Sequence, residues 1–156
     1  MNRKNLVWLF VAAVVALGFW FWSWCQPEKQ VRRAQGRLIA AIESRDFDAM
    51  AALLAHDYRD RWENDKTNVR VRGREVFRQF VTLTIGRTDS GIRPAGSLWI
   101  LSEKIHVRGI GTPLAIHARD RVNSLAAPFE TTWRQRGWKP WDWELTNVDH
   151  SELQIE

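Results

Sequence analysis

From Leu6 to Trp22 the chain carries only apolar residues and glycine, and no charged side chain intervenes between Lys4 and Glu28. About 20 helical residues, at about 1.5 Å each, cross a hydrocarbon core of about 30 Å, so the stretch from Asn5 to Cys25 is long enough for one pass. Trp8 stands near one end and Trp20, Trp22 and Trp24 near the other, where indole rings favour the headgroup layer. Leu6, Trp8, Trp20, Trp22 and Trp24 are therefore the expected membrane residues. The competing reading is a cleaved signal peptide that starts at Arg3 and Lys4. Against it stand the length of the apolar run and the bulky exit from Phe19 to Cys25, which offers no small-residue cleavage site. Residues 1–25 are thus expected to form a basic tail and a transmembrane helix, and 26–156 one extramembrane domain large enough to bury a core.

The flanking charges pull the orientation both ways. Lys29, Arg32, Arg33 and Arg37 follow the segment and favour a cytoplasmic domain, whereas a short basic tail before a first hydrophobic segment is the start of an N-in signal anchor. The expectation adopted is a single-pass protein of the cell membrane with an extracytoplasmic domain. Its first partner is then the lipid bilayer.

Lys and Arg number 23 against 18 Asp and Glu, and two of the basic residues are Arg3 and Lys4. The rest are spread along the domain, so nucleic acid is not an expected partner. His56, His106, His117 and His150 include no pair at the spacing of a helix-borne zinc site, and no metal or other cofactor is expected. Cys25, the only cysteine, ends the apolar segment and reads as an interfacial thiol.

Within the domain, Val31, Gln35, Leu38 and Ile42 recur at helical spacing and predict a helix over about 28–44. Asp46 is placed to cap a short second helix whose Phe47, Met50 and Leu54 share a face. His56 to Asn64 reads as an extended segment that drops Tyr58 and Trp62 into the core. Val69 and Val71 alternate with arginines before Gly73, and a third helix is expected from Arg74 to about Ile85. Strands are expected at about 97–108, 113–124, 128–136 and 139–149, the last two joined by a turn at Gln135-Arg136-Gly137. Strands this close in sequence pair antiparallel. The predicted class is α+β, three helices followed by an antiparallel sheet.

That order, with the Ile42 to Met50 segment, the Gly73-Arg74-Glu75 helix start and the Arg136-Gly137-Trp138-Lys139 hairpin, resembles the nuclear transport factor 2-like superfamily and its SnoaL-like domains. The resemblance covers most of residues 28–150. It implies a cone in which a curved antiparallel sheet wraps three helices, with a pocket at the open mouth and dimerisation through the outer sheet. It implies no single reaction, because such scaffolds serve isomerases, dehydratases, hydrolases, transport adaptors and membrane-anchored assembly proteins.

If 113–124 is a strand, Ile116, Ala118 and Asp120 share one face. Asp120 is then a carboxylate on an apolar face and a candidate general base, with His106, His117 or Tyr58 as proton partner. Tyr58, Trp62, Ile116, Ala118 and Asp120 are the expected pocket lining. Trp133, Trp141 and Trp143 concentrate aromatic surface and are the expected interface. Arg70, Arg72, Arg74 and Arg78 form the densest basic run, which reads as a solvated face or a contact with anionic headgroups. Three functions follow. The first is a membrane-anchored, non-catalytic binding or assembly module that takes a homodimer partner, a membrane-complex partner or a small apolar ligand. The second is a small-molecule isomerase, dehydratase or hydrolase. The third is a structural subunit of a bacterial envelope complex.

Overall fold

The computed structural model describes residues 3–153, excepting the side chains of residues 3–7, Leu9, Asp89 and Ser90. The Leu6 side chain, expected at the membrane, and the last three residues of the expected domain lie outside this description. Helix α1 (Arg3–Trp24) is apolar around its whole circumference, and its side chains from Phe10 to Trp22 are all exposed, Trp20 at 64%. Among the described residues no single helix is long and apolar enough to cross a membrane; Phe10–Trp24 and Pro27–Glu43 meet that test only as a pair, bent by 59°.

Helix α2 (Pro27–Glu43) begins on Pro27, where the missing N–H costs no hydrogen bond, and buries one stripe of Val31, Ala34, Leu38 and Ala41. It closes at Arg45, whose φ of 60° is left-handed, while the Asp46 N–H donates back to the Ala41 carbonyl at 2.9 Å. Arg45 holds this conformation without being glycine and donates to the carbonyls of Phe80 and Val81. Asp46 then caps helix α3 (Phe47–Leu53) by accepting from the Ala49 N–H at 2.9 Å, as its sequence position predicts. The chain next runs alongside the C-terminal strand, with the N–H groups of Ala55, Arg59 and Arg61 donating to the carbonyls of Leu145, Thr146 and Val148. This carries Tyr58 into the core.

The expectation of a helix from Arg74 to about Ile85 is corrected. Helix α4 spans Lys66–Phe77 and starts from Asp65, which accepts from the Asn68 N–H at 2.8 Å. Val69, Val71 and the Gly73-Arg74-Glu75 segment lie inside it. Phe80, Leu83 and Ile85 fit a helical stripe or a strand. Pairing decides for the strand: β1 (Phe80–Ala95) is antiparallel to β2 (Leu98–Gly111), with bulges near Val81 and Ser90 that bend the ribbon.

The expected strand over 113–124 is also corrected. Residues Pro113–Asn123 form helix α5, with Thr112 as N-cap and Pro113 in the first turn. Strands β3 (Phe129–Gln135) and β4 (Trp143–Asp149) complete a four-stranded antiparallel sheet in the order β1-β2-β3-β4. A loop of residues 136–142 joins them in place of the short turn, closed where the Arg136 N–H donates to the Asp142 carbonyl at 2.8 Å. The core gathers Val31, Ala34, Leu38, Leu101, Trp133 and Leu145 between α2 and the sheet.

Helix α5 answers a problem of topology. β3 pairs with β2 only from Leu98 to Glu103, which leaves the rest of β2 a bare edge. Asn123 Nδ2 donates to the Val107 carbonyl and its Oδ1 accepts from the Val107 N–H, both at 2.8 Å, as a neighbouring strand would. Arg119 donates to the Gly109 carbonyl at 3.0 Å. Gly111 makes the close turn into α5: a Cβ there would run into the Gln79 carbonyl and the Ala115 side chain.

Asn123→Leu keeps side-chain bulk and removes both edge bonds. We expect it to lower stability in urea by about 1–2 kcal/mol and to speed hydrogen exchange at Val107, and no change in either would show that Asn123 does not hold the edge. At the other end of the sheet Arg134 donates to Asp57 at 2.6 and 3.0 Å and to Glu144 at 2.6 Å. The Arg134 guanidinium holds the Asp57 carboxyl below its ordinary value. A depressed carboxylate stabilises the fold above about pH 4 and loses that contribution as the pH falls through its folded value. Asp57→Asn should flatten the acid limb of the stability profile and leave an unchanged slope above about pH 5.

Candidate functional site

The residues singled out from the sequence do not converge. Asp120 lies on α5, not on a strand; its side chain is 60% exposed and paired with Arg119 at 2.8 Å. Ile116 and Ala118 share that helix, and Ile116 is exposed. His106 and His117 are exposed, and His106 lies opposite Gly86 on the face of β2 away from the core. Tyr58 is buried in the main core, where desolvation first and the charge of Asp60 second push its phenol above the ordinary value. Trp62 is half-buried and donates its indole N–H to the Leu153 carbonyl at 2.9 Å. The five expected pocket residues are thus divided between the core and the surface, because the alternation that aligned three of them belongs to a helix.

The interior holds a polar cluster instead. Gln35 on α2 and Glu103 on β2 are both buried, and Gln35 Nε2 donates to Glu103 Oε2 at 3.0 Å. Arg87 on β1 donates to the other carboxylate oxygen at 3.3 Å, its side chain 31% exposed. Gln35 Oε1 is buried with no hydrogen-bond partner. A buried amide oxygen left without a donor is uncommon and costs free energy. Both residues carried a signal: Gln35 interrupts the apolar stripe of α2, and Glu103 alternates with Leu101 and Ile105 on the inward face of β2.

The tryptophans expected at an interface separate in the same way. Trp133 and Trp143 are in the core, with their indole N–H groups donating to Thr131 Oγ1 and the Pro140 carbonyl. Two cross-strand aromatics this large fill the space between sheet and helix and leave nothing for a partner. Trp141, half-exposed, reaches the junction of α1 and α2, its ring 6.2 Å from that of Trp24.

That junction is tightly built. The last carbonyls of a helix have no partners within it, and Gln30 Nε2 donates to the Trp24 carbonyl at 2.6 Å, joined by Arg33 at 3.3 Å. The Arg33 guanidinium lies 4.5 Å above the Trp24 ring, a cation–π geometry. Arg37 donates to the Trp141 carbonyl at 3.3 Å, and Lys29 Nζ donates to Ser23 Oγ at 2.6 Å. Cationic side chains at the C-terminal end of α1 also suit the negative end of its dipole.

Comparison with known proteins supplies the fold and nothing finer. No protein-family model and no curated protein matches the chain. Among solved structures, a conserved protein from Planctomyces limnophilus DSM 3776 superposes with a TM-score of 0.60 at 14% identity, covering 78% of this chain and 91% of that one. A protein with a cystatin-like fold from Nostoc punctiforme PCC 73102 gives 0.56 at 12% identity, covering 78% and 86%. A nuclear transport factor 2-like protein from Cytophaga hutchinsonii ATCC 33406 gives 0.54 at 12% identity, covering 95% and 96%. The chain therefore has the nuclear transport factor 2-like, cystatin-like fold, with helices packed on an antiparallel sheet. A scaffold shared at this level of identity fixes no activity.

Glu103→Leu leaves the Gln35 amide without a partner at either end and should cost about 1–3 kcal/mol in chemical denaturation. Gln35→Leu/Glu103→Leu should recover most of that loss, and single effects that simply add would show that the two side chains are not coupled.

Proposed function

We propose that α1 lies in a lipid bilayer and holds the nuclear transport factor 2-like domain at the membrane surface as a non-catalytic binding or assembly module. The observation that carries this reading is the uncovered apolar surface of α1. Phe10, Val11, Val14, Val15, Leu17, Phe19 and Phe21 are all exposed. Moving seven such side chains out of water is worth roughly 10–20 kcal/mol at about 1.5–3 kcal/mol each. That is as large as the whole net stability of a domain, about 5–15 kcal/mol. A single partner helix would cover one face, whereas the exposure runs round the entire circumference, and a bilayer covers all of it. The described apolar stretch Phe10–Trp24 is by itself shorter than the hydrocarbon core of about 30 Å, and the apolar residues Leu6 to Leu9 that precede it in the sequence make up the difference.

On this reading the domain is extracytoplasmic, with Arg3 and Lys4 retained inside. The full chain should stay in the membrane pellet after an alkaline carbonate wash, and a variant lacking residues 1–25 should be released. Release of the full chain would sink the tether. A reporter that works only outside the cytoplasm, fused after Glu156, should be active, and silence would reverse the orientation.

A small-molecule reading has one observation in its favour, the buried Glu103 beside the unpartnered Gln35 Oε1. It rests on different residues from Asp120, which solvent surrounds. A small ligand that raises the melting temperature of the wild type and loses that effect in Gln35→Leu/Glu103→Leu would move the conclusion to this reading.

A further inference from the structure

The angle between α1 and α2 encloses an open groove of about 460 Å3 lined by Phe21, Trp24, Gln30, Arg33, Arg37 and Trp141. We propose that this groove binds the headgroup of an anionic phospholipid, with the acyl chains lying against Phe21 and the apolar face of α1. The inference rests on the reading of α1 as a bilayer helix and names the lipid class held where that helix meets the domain.

Charge complementarity carries the argument. Arg33 and Arg37 stand four residues apart on one exposed face of α2, and none of the described residues lining the groove is acidic; the nearby Glu28 is paired with Arg32 at 3.2 Å. Each of the two guanidinium groups makes one bond to a carbonyl, at 3.3 Å. A guanidinium carries five N–H donors in a planar fork that matches phosphate. Two formal charges also outweigh the roughly half negative charge of a helix end, whose Trp24 carbonyl is already engaged. The aromatic part of the lining completes the match. Phe21 continues the apolar surface of α1, while Trp24 and Trp141 supply indole rings of the kind that favour the headgroup layer. The basic stripe on α4 lacks this pairing: Arg70 is held by Asp48 at 3.5 Å, and Glu75 lies among Arg70, Arg74 and Arg78.

The test is native mass spectrometry of the full chain released from nanodiscs that contain equal amounts of phosphatidylglycerol and phosphatidylcholine. The wild type should retain phosphatidylglycerol over phosphatidylcholine by roughly tenfold or more, on the order expected from two arginines near anionic lipid. Arg33→Gln/Arg37→Gln should abolish the preference. Arg37→Gln alone, which removes one surface hydrogen bond and leaves the Trp24 clamp intact, should reduce it about fivefold. Arg70→Gln/Arg74→Gln/Arg78→Gln should keep the wild-type preference. Insertion without lipid preference, or a preference lost only in the α4 variant, overturns the groove and leaves the tether standing. Failure of the wild type to enter nanodiscs overturns the tether, and the groove falls with it.

Discussion

Helix α2 is the element on which the rest depends, because it satisfies two environments at once. One stripe, Val31, Ala34 and Leu38, is sealed against the sheet through Leu101, Trp133 and Leu145. The opposite face presents Arg33 and Arg37 to the end of α1 and to Trp141. An amphipathic helix in a surface layer buries one face and wets the other. Here the wet face is engaged by the Trp24 carbonyl and indole ring at the C-terminal end of an apolar helix and by the Trp141 carbonyl of the 136–142 loop. The 59° bend at Cys25 and Gln26 is consequently held by hydrogen bonds, cation–π contact and aromatic packing, and not by chain connectivity alone.

What the sequence made legible was local. The stripe of α2, the Asp46 cap of α3 and the alternation in β2 depend on neighbours a few residues away, so their patterns survive in the linear chain. The two misplaced elements depend on distant partners. Phe80 to Ile85 has the apolar spacing of either a helix or a strand, and the register with Val107 to Gly111 decides it. Residues 113–123 alternate well enough to pass for a strand, but Thr112-Pro113 is a helix start, with hydroxyl cap and proline in the first turn. The helix is required there because β3 stops pairing at Glu103 and leaves an edge for Asn123 to cover.

The expected site failed for the same reason. Once 113–123 is a helix, Ala118 turns away from Ile116 and Asp120, which stand one turn apart on an exposed side of α5, and Asp120 pairs with Arg119 in solvent. Two of the polar residues that reach the interior, Gln35 and Glu103, sit at core positions of α2 and β2, where periodicity predicts aliphatic residues. Spacing places a residue on a face without saying that its polar atoms will be sealed in, and only packing supplied that. Trp133 and Trp143 make the converse case, since aromatic residues in a hairpin serve a core as readily as an interface.

Cys25, the only cysteine in the chain, stands at the junction between the apolar helix and the domain and so reports on the central claim with no added mutation. A spin label attached there, in full-length protein reconstituted into liposomes, gives its depth from the relative accessibility to oxygen and to a water-soluble nickel chelate. The account predicts a depth at the headgroup layer. A label as accessible to the nickel chelate as one on a soluble protein, or one immersed at the bilayer centre, would contradict it.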